Sequence, residues 1–278
     1  MDETSEGDIS QYQESQSEKQ GVLNAAFDHG DHDLKVLLAG RMAKDKAAET
    51  YYGSLLATCL DIKPSVLLSG KSQIDILRKN LAHFPGYDIV TYNEGIDALF
   101  YKASTLMEIV KQNSEIFGDV TDTESLKKMI QVFSIGNQSD GDDLRLGVLL
   151  GFPRTSIDKY ISHKDHIQAI NDWKAEDTKN TKMYYDMVAK IEWSDAKYRK
   201  ATARQIDLAA QMWNKILPPH IDGSILAHRV VFDLPGMRFV SYAPDASELQ
   251  FAEDYRKKWE ASHVDSLKRK FFLKSLVS

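Results

Sequence analysis

Apolar residues recur along this chain at two spacings, and the alternation between them divides it into elements. After a first stretch with almost nothing apolar, Leu34–Cys59 carries Met42, Ala47, Ala48, Tyr51, Leu55 and Cys59 near one face, which predicts a helix broken near Gly40. Pro64 stops that pattern, and Ser65-Val66-Leu67-Leu68-Ser69 reads as a short buried strand. Helical spacing returns through Ile74, Leu77 and Leu81. Pro85-Gly86 then marks a turn, and Tyr87–Tyr92 is a second strand. Asn93 is placed to cap a helix whose stripe runs Ile96, Leu99, Phe100, Ala103, Leu106, Met107, Val110. Strand–helix–strand–helix with short links predicts a parallel strand pair.

The second half is mostly helical. Thr121-Asp122-Thr123-Glu124 has capping-box spacing, and Asn137–Asp143 reads as an acidic loop. The run Leu144, Leu146, Val148, Leu149, Leu150 ends at Gly151. Pro153 pushes Phe152 away from helical backbone, and Thr155 followed by Asp158 resembles a cap for the next helix. Asn171–Lys182 is polar, a loop or an exposed helix start. Met183–Ile191 and Tyr198–Leu217 are helical, the latter through Ile206, Ala210, Trp213 and Leu217. Pro218-Pro219 breaks it. His228–Leu234 and Met237–Tyr242, joined by Pro235-Gly236, predict a hairpin, and Asp245-Ala246-Ser247-Glu248 predicts a capped helix. The fold class expected is α/β and mostly helical: a small sheet with a parallel pair and a C-terminal hairpin, flanked by many helices.

Charge sharpens the domain picture. The net charge is −6, yet residues 1–33 hold nine acids against Lys19 alone, so the rest is close to +2. Residues 1–30 therefore read as a disordered acidic tail, and 31–278 as a single α/β domain whose subdivision, if any, falls near 118–140. One cysteine, Cys59, excludes an intrachain disulfide and a thiolate cluster. No apolar run suits a membrane span and the N-terminus lacks signal-peptide character, so a cytoplasmic protein is the default expectation.

Chemistry is sparse. Ser69-Gly70-Lys71-Ser72 contains the end of a phosphate-binding loop, but Ser65 stands where its first glycine belongs, which rejects a nucleotidase. His29, Asp31 and His32 are the best metal ligands by type, without a rigid element to aim them; His163 and His166 lack a third ligand. The corner after Gly151 presents Arg154, Thr155 and Ser156 at a helix start, suited to a small carboxylate or phosphate. Asp245 is first a cap, and His228 is the nearest thing to a general base for Ser156 or Thr155. Lys268, Arg269, Lys270 and Lys274 make the C-terminus a basic amphipathic helix.

Leu149–Ser156 and Val240–Ala246 together resemble segments of uncharacterised archaeal and candidate-phylum bacterial proteins with a Gly-(Phe/Tyr)-Pro corner. Thr155, Ser156, Tyr242 and Ala246 stand where thiols would be expected, so any metal or redox chemistry of those thiols is not implied, and the resemblance implies no activity. Three functions are thus weighed: a non-catalytic binding or interaction domain, which is favoured; an enzyme acting on a small anion at Gly151–Ser156; and nucleic-acid binding through the C-terminal helix, which is disfavoured. The second requires the corner, Asp245 and His228 to converge.

Overall fold

The computed structural model describes residues 4–40, 46–133 and 139–276. In chain order the elements are α1 (Thr4–His29), α2 (His32–Leu38), α3 (Lys46–Cys59), β1 (Ser65–Ser69), α4 (Lys71–Lys79), β2 (Tyr87–Tyr92), β3 (Asp97–Lys102), α5 (Ala103–Gln112), α6 (Ser114–Phe117), α7 (Thr123–Gln131) and α8 (Asp140–Leu149). There follow α9 (Arg154–Ser162), α10 (Lys164–Glu176), α11 (Thr178–Ile191), β4 (Trp193–Ser194), α12 (Asp195–Tyr198), α13 (Ala203–Asn214), α14 (Ser224–Ala227), β5 (Arg229–Leu234), β6 (Met237–Tyr242), α15 (Ala246–Ala261) and α16 (Val264–Ser275). They fall into two compact units, 1–151 with 255–278, and 152–254. The division therefore lies at the Gly151-Phe152 corner and within α15, away from 118–140. Mostly helical α/β is the class observed.

The first unit holds a three-stranded sheet in the order β1-β3-β2, antiparallel throughout. This corrects the parallel pair expected of β1 and β2. Residues 97–102, read as part of a helix, are the central strand, and Ala98, Leu99, Phe100 and Tyr101 are all fully buried. A strand covered on both faces reads as an unbroken apolar run, which helical spacing can imitate. What divides it from β2 is a turn in which Asn93 (φ 51°) and Gly95 (φ 83°) take left-handed backbone. Phe100 stacks on Tyr87 at 5.2 Å and meets Phe84 edge-on at 5.6 Å. Ser65 Oγ donates to the Leu149 carbonyl at 2.6 Å, fixing the end of α8 to β1. Ser139 opens α8 with a capping box to Asp142, so residues 140–143 are helix, correcting the acidic loop; Asn137 and Gln138 lie outside the described residues, as does Met42.

Residues 4–29 are helical where a disordered tail is expected over 1–30; residues 1–3 lie outside the described residues. The acidic composition concealed Leu23, Ala26 and Phe27, spaced to share one face and all buried. Phe27 stacks on Phe271 of α16, with ring centroids 4.6 Å apart and 6° between planes. Lys274 Nζ reaches Asp28 at 2.6 Å and Lys270 Nζ reaches Asn24 at 2.9 Å. Between α1 and α2, a Cβ on Gly30 would sit 2.5 Å from the Ala26 carbonyl and from the Leu34 side chain, so only glycine permits the sharp corner.

The second unit holds the sheet β4-β5-β6. Its β5–β6 hairpin is the one expected, with Leu234 paired to Met237 across Pro235-Gly236 and Gly236 at φ 71°, as a type II turn requires. A parallel pair does occur, here between Trp193-Ser194 and Val230-Val231. Trp173, Trp213, Leu217, Ile221 and Leu226 centre an apolar core shared by α10, α13 and α14. Asn171–Lys182 is the junction of α10 and α11, and Asn180 and Thr181 donate to the last carbonyls of α10. No helix among the described residues is long and apolar enough to cross a membrane.

Removing the Phe27 ring tests whether α1 belongs to the folded body. Phe27→Ala is expected to lower unfolding free energy by about 3 kcal/mol, the usual loss for a buried phenylalanine, measured by urea titration of the full chain. An unchanged midpoint would show that the end of α1 adds nothing to the fold.

Candidate functional site

The corner and the cap do come together. Gly151 ends α8 with left-handed backbone (φ 79°), and Pro153, in extended backbone, precedes α9. The helix starts at Arg154 with no side-chain cap, so Thr155 lies in its first turn and is not the cap inferred from Thr155 and Asp158. Phe152 packs against Phe239 of β6 with ring centroids 5.7 Å apart. One turn of α9 is thereby laid along β6 and the start of α15.

The centre of this arrangement is Glu248, a fully buried side chain. Its Oε1 accepts from Ser156 Oγ at 2.6 Å and from Ser241 Oγ; its Oε2 accepts from Lys159 Nζ and from the Asp245 backbone N–H at 2.9 Å. Four donors for one carboxylate fill the positions its lone pairs offer. Asp245 completes the capping box. Its Oδ1 accepts from Ser247 N at 2.9 Å, Ser247 Oγ at 2.5 Å and Glu248 N at 3.2 Å, and its Oδ2 takes Lys159 Nζ at 3.2 Å. The Ser247 hydroxyl, the Glu248 N–H and the Lys159 ammonium together hold the Asp245 carboxyl down at about 2. For Lys159, burial pulls the ammonium pKa down, but hydrogen bonds and charge from Glu248 and Asp245 outweigh it and leave it raised.

The remaining expected site residues distribute as follows. Thr155 Oγ1 lies 3.4 Å from Ser247 Oγ. Arg154 Nε is engaged by Asp158 on its own helix, at 2.9 and 3.1 Å, on the exposed side. His228 Nδ1 lies 3.1 Å from Tyr198 Oη, and burial raises that phenol's pKa. Thus the hydroxyl of Ser156 faces a carboxylate rather than the His228 imidazole proposed as its base. Ser156 is itself 4% exposed. In the first unit Asp31 caps α2, accepting from Leu34 N at 2.9 Å, and pairs with Lys79 at 2.8 Å; the Lys79 hydrogen bond is the main cause of its carboxyl pKa falling to about 2. His29 ends α1 and His32 begins α2. Among the described residues no group of three or more His, Cys, Asp or Glu side chains is placed to hold a metal ion. Cys59 is buried, and desolvation pushes its thiol pKa up, away from reactivity.

Sequence reasoning identified Asp245 and Ser156 but missed Lys159, Ser241 and Glu248 as their partners. The spacing of Asp245 and Glu248 signalled the capping box; nothing local signalled that Glu248 would be enclosed by α9 and β6. No family model matches this chain, and neither does any curated protein or solved structure compared with it.

Two outcomes are expected. Glu248→Ala removes the acceptor of Ser156, Ser241 and Lys159, and should destabilise the protein by about 3–5 kcal/mol, as when one partner of a buried pair is deleted; calorimetric unfolding measures it. Asp245 has a folded pKa depressed from 3.8 to about 2, so its contribution is fully present above the unfolded value and disappears as pH falls through the window from 3.8 to 2. The difference in urea midpoint between wild type and Asp245→Asn should therefore shrink across that window. A difference independent of pH excludes the ionised cap as its source.

Proposed function

We propose that this chain is a non-catalytic interaction module, and that its docking face is the outer side of α16. The observation that carries this reading is a shallow groove of about 570 Å³ along that helix, lined by Asp265, Ser266, Arg269, Lys270, Leu273 and Lys274. Leu273 is 54% exposed, and Phe272 and Leu276 beside it are exposed as well. Large apolar side chains presented together with cations favour a partner that carries apolar and acidic groups at matching spacing. The occupant is an acidic amphipathic helix of another protein, its apolar stripe on Leu273 and a carboxylate toward Arg269.

The other two readings are less well supported. Nucleic acid would need several cations free to meet phosphates. Yet Lys274 is paired with Asp28, Lys270 donates to Asn24, and Lys268 lies over the Trp259 and Tyr52 rings with Asp265 at 3.8 Å. An enzyme at the Gly151–Ser156 corner would need a hydroxyl accessible to substrate, and that of Ser156 is enclosed and donated to Glu248.

The test is fluorescence anisotropy of labelled amphipathic helical peptides of about 18 residues, long enough to hold a helix, one acidic and one basic on the polar face. The acidic peptide is expected to bind in the micromolar range, and Leu273→Asp and Arg269→Glu each to weaken it about tenfold, a loss of about 1.4 kcal/mol. Binding unchanged in both variants, binding of the basic peptide alone, or no binding of either overturns the reading.

A further inference from the structure

Two of the cations that line the α16 groove are held by another helix of this chain. Asn24 and Asp28, one turn apart on α1, meet Lys270 and Lys274, one turn apart on α16. Lys274 Nζ donates to Asp28 Oδ1 at 2.6 Å, and Lys270 Nζ donates to Asn24 Oδ1 at 2.9 Å. Beside these bonds Phe27 stacks on Phe271, and Lys274 Nζ stands 5.7 Å from the centre of the Phe27 ring. An apolar ring with oxygen acceptors around it is therefore what α16 already accepts from within its own chain.

The two holds differ in kind. Asn24 is neutral and brings no charge to Lys270. Asp28 brings a full charge to Lys274, and the hydrogen bond from that ammonium is the main cause of its carboxyl pKa lying below the usual value. The pair is nonetheless open to water, with the Asp28 side chain 46% and the Lys274 side chain 39% exposed. An ion pair so exposed is weak. A second carboxylate, kept close by an apolar contact at Leu273, competes for the same ammonium at high effective concentration.

Resting on the reading of α16 as a docking face, we propose that Asp28 is an internal competitor at that face. It holds Lys274 toward α1, and an acidic helix docking on α16 takes Lys274 over with a second carboxylate. Arg269 is open to the partner from the outset, and Lys274 only after this exchange. Asp28 thus sets how much acidity the partner must carry: one carboxylate engages Arg269 alone, and two are needed for the full hold.

The probe is a labelled acidic amphipathic peptide of about 18 residues, with two carboxylates one turn apart on its polar face, titrated against the full chain by fluorescence anisotropy. Asp28→Asn is expected to bind it about fivefold more tightly than wild type, the scale of one exposed ion pair. In a chain that already carries Lys274→Met, Asp28→Asn should bring no gain. Wild-type binding with no gain in Asp28→Asn overturns the competition and leaves the docking face standing. A gain that persists beside Lys274→Met is a general charge effect and overturns it too. No binding by wild type or by Asp28→Asn overturns both. Should Asp28→Asn not fold, NMR of the wild-type Lys274 Nζ decides: a saturable shift with the anisotropy Kd is expected, and a signal that stays still while the peptide binds sinks the proposal.

Discussion

A carboxylate removed from water must find its hydrogen bonds inside the protein, and Glu248 imposes that condition on the second unit. Its four donors come from α9, from β6 and from the backbone turn that opens α15. Each would be left with an unmet hydrogen bond if its element moved by more than about an ångström, because hydrogen bonds weaken steeply with distance and angle. The cluster therefore fixes the register of one helix turn against a strand and the turn that opens α15. Apolar packing at the same place, between Phe152 and Phe239, is non-directional and could be satisfied by several arrangements. Directional bonds to a buried charge select one.

The same constraint engages residues that looked like reaction chemistry. A serine at a helix start, a lysine one turn later and a carboxylate within reach could serve a nucleophile and its activating groups. In this chain the Ser156 hydroxyl, the Lys159 ammonium and the Glu248 carboxylate are matched to one another. Ser156 donates to Glu248, and Lys159 bridges Glu248 and Asp245. By contrast, Arg269 and Leu273 on the outer side of α16 face solvent. Docking is proposed on that exposed face rather than at the corner that dominates the sequence.

Elements set by local backbone chemistry were legible from residues alone. Pro235-Gly236 predicted the hairpin, Asp245 the cap of α15, Gly151 with Pro153 the corner, and Pro64 the start of β1, and the structure has each of them. Elements set by what they pack against were not. Asp97–Lys102 has the apolar spacing of a helix and the burial of a central strand, and only β1 and β2 on either side decide between them. Leu23, Ala26 and Phe27 were submerged in an acidic stretch, and their meaning depends on Phe271, far away in sequence. The candidate site divides in the same way. The Asp245–Glu248 capping box is a local pattern, whereas the enclosure of Glu248 by Ser156, Lys159 and Ser241 joins residues separated by 92, 89 and 7 positions.

The acidic start and basic end of the chain acquire a physical meaning from this. Read as composition, residues 1–33 are a charged tail. In the structure the end of α1 is paired with α16, Asp28 with Lys274 and Asn24 with Lys270, around the Phe27–Phe271 stack. Exposed ion pairs of this kind contribute at most about 1 kcal/mol each, so it is the ring stack and its apolar neighbours that hold the two helices. What the charges do instead is set the character of the surface that remains. By engaging Lys274 and Lys270 on the α1 side, they leave Arg269 as the cation most available on the outer side, next to exposed leucines. A polyanion reads such a surface as a weak site, while an amphipathic helix with one well-placed carboxylate reads it as a complementary one. The charge asymmetry of the sequence thus acts through pairing within the fold, between α1 and α16.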